Sequence, residues 1–404
     1  MPGPALAWDW ALSSTLSQTF ELNDNQFMRT PSGGGTLGSY STISANAVGL
    51  TPTSRLTVDS DVGYRKYWGP GTEGVSQTES DWVGISAHYV TWGKNSDDRV
   101  FFDGSFRRSS AVVAVLGDLG LLTNAHGDID RTHFQGGFQR SLSALDTFSF
   151  SLGSTLTSYD PASSGTQFVD TTATASWRHR IDPLTTVNLT SQAEWLNYDT
   201  QPNTNLLLWR NTGGFETTLS PVLSYGASAG VIYTNSETGI APLPLLPVTL
   251  QVPLFATSST VGFIADAHAI YRILKNTTLN LTASQSVSPS ITGVLTKRTT
   301  LHAGVTQLIN GWSSISVAGD ISRQTVSETT TNDFLSGSVS YAYQLAREWN
   351  ASVTYRYLQR TATAGSNILL DPVTGLPTSS VGAASSNSLI ITVAKTTTII
   401  PPLD

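Results

Sequence analysis

Residues able to do chemistry are thinly spread along this chain. Its six histidines, His88, His126, His133, His179, His268 and His302, stand apart, and no two have the close spacing that sets a pair of imidazoles on one metal ion. Asn124, Asp128 and Asp130 would offer three oxygens to Ca²⁺, but without the loop pattern of a calcium site; a solvated acidic loop accounts for them better. Cysteine is absent, which rules out a disulfide framework, a thiolate metal site and covalently held haem. No Ser or His stands with carboxylates in a way that selects a catalytic trio, so the sequence predicts no enzyme and no cofactor. What remains is a scatter of charges of both signs, Asp59, Asp61, Arg65, Asp103, Arg107, Arg178, Arg180, Glu194, Arg210, Glu216, Asp266, Arg272, Asp320 and Arg356, among many Ser and Thr hydroxyls.

The elements that carry these residues have a period of two. Leu223, Tyr225, Ala227, Ala229, Val231 and Tyr233 share one face, and Ser224, Gly226, Ser228 and Gly230 share the other. Leu56, Val58, Val62 and Tyr64 oppose Thr57, Asp59, Asp61 and Arg65; Trp349, Ala351, Val353, Tyr355 and Tyr357 oppose Asn350, Ser352, Thr354 and Arg356. No stretch approaches the roughly 20 apolar residues of a membrane helix. With 13% charged residues, a net charge of -7 and no dense basic cluster, a nucleic-acid partner is excluded.

Connections are expected to alternate in length. Tight turns are predicted near 51–54, 93–99, 143–146, 181–185, 220–223, 274–277, 309–312 and 346–348. Longer segments are predicted near 23–36, 69–80, 109–131, 159–167, 199–205, 235–259, 287–294, 325–333 and 361–386. Aromatic residues gather beside both kinds of connection. Trp8, Trp10, Trp92, Phe148, Phe150, Trp177, Tyr225, Tyr271, Trp312, Tyr341, Tyr343 and Trp349 sit by the tight turns. Tyr64, Trp68, Trp82, Phe134, Tyr159, Phe168, Trp195, Tyr198, Trp209, Tyr233, Phe263, Tyr355 and Tyr357 sit by the longer segments. Two aromatic belts with aliphatic residues between them are what a barrel in lipid requires. The fold expected is therefore all-β, a transmembrane antiparallel up-and-down barrel of about eighteen strands over residues 8–400, with both ends on the periplasmic side. Residues 1–7, ending Ala5, Leu6, Ala7 after Pro2, Gly3 and Pro4, read either as the stub of a secretory signal or as an ordinary tail, and 401–404 as a periplasmic tail.

The stretch from Tyr341 to Tyr357, a strand, a tight turn with Arg347 and Trp349, and a second strand ending Tyr355, Arg356, Tyr357 before Arg360, resembles the bacterial putative β-barrel porins. The resemblance covers the whole chain only as architecture. It implies the bacterial outer membrane, contact with membrane lipid and lipopolysaccharide, and a pore. Many such barrels end on an aromatic residue, whereas this chain ends Ile399, Ile400, Pro401, Pro402, Leu403, Asp404.

If the apolar register faces lipid, the fourteen charges above and a mostly neutral hydroxyl surface line the lumen. Glu194 is expected opposite Arg210 and His302 opposite Asp320, and no single-sign ring is expected. The apolar, proline-rich run Pro242, Leu243, Pro244, Leu245, Leu246, Pro247 is a candidate constriction loop, one that folds inward, packs on other loops or meets a partner. Residues 111–122 are similarly apolar. The leading expectation is passive passage of polar solutes; the alternatives are an exopolysaccharide conduit and a structural sleeve around another envelope protein. Nearly all aromatics fall in the lipid-facing register, so specific oligosaccharide uptake is not supported.

Overall fold

The computed structural model describes residues 8–30, 32–75, 77–93, 98–111, 127–160, 167–199, 204–240, 254–289, 295–327, 330–362 and 383–401. They form eighteen strands. The first six are β1 (Asp9–Asn23), β2 (Thr36–Leu50), β3 (Ser54–Trp68), β4 (Glu79–Trp92), β5 (Arg99–Ser110) and β6 (Asp128–Ser141). Then follow β7 (Asp146–Asp160), β8 (Phe168–Arg180), β9 (Thr185–Tyr198), β10 (Thr204–Ser220), β11 (Leu223–Ile240) and β12 (Leu254–Leu274). The last are β13 (Thr277–Pro289), β14 (Leu295–Asn310), β15 (Ser313–Ser327), β16 (Thr330–Ala346), β17 (Trp349–Ala362) and β18 (Ala384–Ile400). Each pairs antiparallel with its neighbours in sequence, and β1 pairs with both β2 and β18, so the sheet closes on itself and leaves no edge strand.

The tight turns are built by their own side chains. Thr51, Ser143, Asp182, Ser220 and Asn310 each accept a hydrogen bond from the main-chain N–H two residues on, and the first four also from the next one. A short polar side chain that holds the following two amides pre-forms the reversal, which is why Ser, Thr, Asp and Asn occupy these places.

Leu16, Ile43, Phe102 and Leu152, all in one register, are more than half exposed. Burying such a side chain is worth about 1.5–3 kcal/mol, so a dozen facing water would cost roughly 20–35 kcal/mol against a net stability of about 5–15. This band must meet an apolar medium. The opposite register carries hydroxyls that pair across strands, as in Thr15 with Thr396 and Thr19 with Thr392 (2.9 Å each) and Thr354 to Ser340 (2.8 Å).

The alternation of long and short connections is weaker than the sequence predicts. Only residues 328–329 separate β15 from β16, where a segment over 325–333 was expected, because the ladder continues through Thr325 and Thr331. Likewise β11 and β12 run on to Ile240 and back from Leu254, into the segment predicted as loop from 235 to 259. Ser, Thr and Asn on both faces there hide the period of two. Residues 242–247, 112–122 and 1–7 lie outside the described residues.

Candidate functional site

The inner face is identified by contacts that skip a strand. Arg356 on β17 reaches Glu21 on β1 at 3.1 Å across β18, a contact open only to side chains on the concave side. All fourteen charged residues named above share the register of these two across the strand ladders. They do not form one cluster. Arg107 lies 3.7 Å from Asp61, and Arg210 pairs with Glu194, which is a diagonal neighbour and not the direct opposite expected, since Glu194 faces Leu208. His302 and Asp320 are direct register partners 2.6 Å apart, and Ser336 donates to the second Asp320 oxygen at 2.9 Å. Asp103 holds His88, Asp266 lies 3.7 Å from His268, and Asp59 accepts from Asn46 at 2.6 Å. Arg65 donates to Ser80 and stacks over Trp82. Among the described residues no group of three or more His, Asp or Glu could hold a metal ion.

Several aromatics assigned to the outward belts face inward. Trp82 shares the inner register with Gly63, and a Cβ on Gly63 would sit 2.1 Å from the Trp82 ring, so glycine is what lets the indole lie flat on the inner wall. Trp92 and Tyr159 are also in the inner register, and Phe168 and Tyr198 are buried with Leu196, Leu206, Leu208, Ile232 and Ile264 in an apolar cluster on the inner wall of β8–β12. Their place along the strand was read correctly from their type, but their side of the wall depends on parity, which type does not reveal.

One inner feature among the described residues was not legible in the sequence. The connection between β1 and β2 turns into the barrel. Asn25 donates to the Arg29 carbonyl and to the Ser385 carbonyl, and its own side-chain oxygen accepts from the Arg29 amide. Phe27 packs edge-on against Tyr67 of β3 at 5.6 Å, and Gln26 donates to the Tyr67 hydroxyl. Arg360 of β17 donates to the Met28 carbonyl at 3.0 Å. Met28, at φ 50°, holds a left-handed conformation that costs a non-glycine residue about 1–2 kcal/mol. Phe27 and Met28 are only 2% exposed. Beneath them Glu21, also buried, accepts from Tyr40, Asn23 and Arg356.

At the other end, five arginines in the inner register lie within three residues of a tight turn: Arg55 on β3, Arg99 on β5, Arg178 and Arg180 on β8, and Arg272 on β12. None has a carboxylate within ion-pair distance among the described residues. Two carboxylates share this register at the same mouth, Asp9 in the row of Arg55 and Glu216 in the row of Arg180, so the mouth carries an excess of positive charge and not a ring of one sign. Arg55 and Arg99 were missed because they fall at the edges of predicted turns, although counting the period back from Asp59 and Asp103 reaches both.

No family model matches the sequence, and no curated protein matches it. Among solved structures, the chain is similar to the ferric-catecholate import receptor Fiu from E. coli K12, with 9% identity, 96% of this chain and 82% of that one covered, and a TM-score of 0.50. It is also similar to the outer membrane protein opdK from Pseudomonas aeruginosa (9% identity, 96% and 99% covered, TM-score 0.48) and to OccAB4 from Acinetobacter baumannii (10%, 98% and 100%, 0.46). At such identity the likeness extends to the fold alone.

Proposed function

We propose that this chain is a bacterial outer-membrane channel for the passive passage of polar solutes, as the resemblance to the putative β-barrel porins implies. The single observation that carries this reading is the closed barrel with an exposed apolar outer register and a polar inner one. In this reading the tight turns and both chain ends are periplasmic. The inner segment 24–35 narrows the bore at the outer mouth, and the constriction proposed for Pro242 to Pro247 remains a second candidate.

Contact with lipid and lipopolysaccharide is supported by cross-strand ion pairs in the outward register: Lys66 with Glu79 (2.8 Å), Arg108 with Asp130 (2.6 Å) and Arg323 with Asp333 (2.8 Å). Each cation lies about 9–12 residues up its strand, roughly 23–30 Å along a wall tilted by about 40°, which is where a bilayer's apolar band of about 25 Å ends.

Export of a weakly charged polysaccharide would use the same hydroxyl ladders and is the second reading. Purified protein in planar bilayers tests the proposal. Discrete conductance steps are expected, and a protein that inserts without conducting would favour the structural sleeve.

A further inference from the structure

One recess in the inner wall is built differently from the rest. It opens between β5 and β9 near the tight-turn mouth, has a volume of about 280 Å³ and is lined by Arg99, Arg178, Asn188, Phe101, Ser176 and Thr190, with other residues of the same strands. The register explains how residues so far apart in sequence meet. Arg99, Gln139, Ser149, Ser176 and Thr190 form one row across five strands, and Arg178 and Asn188 are partners in the row beside it.

Two guanidinium groups from different strands thus border one small cavity, and neither has a carboxylate within ion-pair distance among the described residues. Arg99 donates to Gln139 at 3.0 Å, a neutral partner that orients it without cancelling its charge. Asn188 borders the recess beside Arg178, with its side-chain oxygen turned toward Gly214 of β10 and out of water. Phe101 supplies an apolar wall, lying across Gly137, where a Cβ would come within 2.6 Å of the ring. The volume corresponds to about nine water molecules, the size class of a monosaccharide.

We infer that this recess binds a small hydroxyl-bearing anion, a sugar acid or a sugar phosphate, with Arg99 and Arg178 on the anionic group and the Ser176 and Thr190 hydroxyls on the ring hydroxyls. Guanidinium is suited to either anion because its fork of donors matches carboxylate and phosphate oxygens. The other arginines of this mouth raise the local anion concentration around the recess. The inference names a solute class for the proposed channel and rests on that reading only for its biological sense, since binding itself needs no pore.

Titration calorimetry on the folded barrel in detergent tests it with glucuronate, glucose 1-phosphate and glucose. Both anions, or one of them, should bind at least about tenfold more tightly than glucose, and which one binds decides between carboxylate and phosphate. Arg178→Gln and Arg99→Gln should each weaken anion binding about tenfold, whereas Arg140→Gln, at the same end but in the outward register, should not. A heat-shifted band on gels verifies that each variant folds. Equal binding of glucose and the anions, or unchanged binding in both variants, overturns the inference. Anion binding in a protein that never conducts would keep the site and reject the channel; conductance without anion binding would do the reverse.

Discussion

Arg360, fully buried on β17, donates to the main-chain oxygen of Met28 at 3.0 Å and so ties the segment between β1 and β2 to a strand that lies beyond β18. A charged donor to a carbonyl in such a place contributes about 1.5–3 kcal/mol. Arg360→Met should loosen the segment, and removal of residues 26–33 should clear it from the bore. The expected outcome in planar bilayers is a larger unit conductance for the deletion and noisier openings for Arg360→Met. Unchanged conductance in the deletion would mean that the narrowest point lies elsewhere.

The two faces of the wall can be told apart with one pair of variants. Ala229 is in the outward register about a third of the way up β11, and Ser228 beside it faces inward, opposite Asp266. Ala229→Arg sets a cation in lipid and should destabilise by about 2–4 kcal/mol near the midplane. Ser228→Arg meets water and a carboxylate and should fold normally. Urea titration of the refolded barrels measures both; equal tolerance would contradict the register.

How much of this could be read from the residues depends on the range over which each feature is encoded. The strands, the tight turns and the fourteen inner charges follow from a period of two that is local, and a run such as Leu223 to Tyr233 displays it outright. The segment around Asn25 and Met28 was opaque because its anchors are remote: Arg360 is 332 positions from Met28, and no local pattern links them. The recess at Arg99 is intermediate. Each of its residues obeys the local period, but their meeting depends on the register of four strand pairs, which turn lengths fix only once every turn is placed.

Asp182 gives the tight turns a pH dependence. Its carboxylate accepts from the Leu184 amide at 2.7 Å and from Thr185 at 2.8 Å, and these bonds, Leu184's first, hold it below the usual carboxylate range. A carboxyl lowered in the folded state stabilises above its unfolded value, near 3.9, and that contribution is lost as pH falls through the lower folded value. Asp182→Ala should therefore lower the urea midpoint at pH 7 and differ less from the parent at pH 3. A difference that does not shrink in acid would assign the effect to the backbone and not to the charge.

Orientation is testable with single cysteines, because the chain has none of its own. Glu73→Cys, in the connection between β3 and β4, should react with an impermeant maleimide on intact cells, and Asn276→Cys, in a tight turn, should not. Reversed labelling would put the tight turns and both termini outside.

The arginine mouth bears on ion selectivity. At mid-height the inner wall carries carboxylates, of which Asp61 lies beside the fixed charge of Arg107, while Asp103 and Asp320 are hydrogen-bonded to His88 and His302, so the field of the first is partly cancelled. At the tight-turn end Arg55, Arg99, Arg178, Arg180 and Arg272 outnumber the inner carboxylates Asp9 and Glu216, and an excess of one sign at a mouth sets the sign of the ions a pore prefers. The reversal potential under a KCl gradient should therefore have the sign of anion preference, and it should shrink as salt rises and the Debye length falls from about 10 Å at 0.1 M to about 3 Å at 1 M. Replacing Arg180 and Arg272 together by Gln should move it toward zero and leave the recess at Arg99 and Arg178 in place. A cation preference in the parent protein would show that the carboxylates of the waist, and not this mouth, govern selectivity.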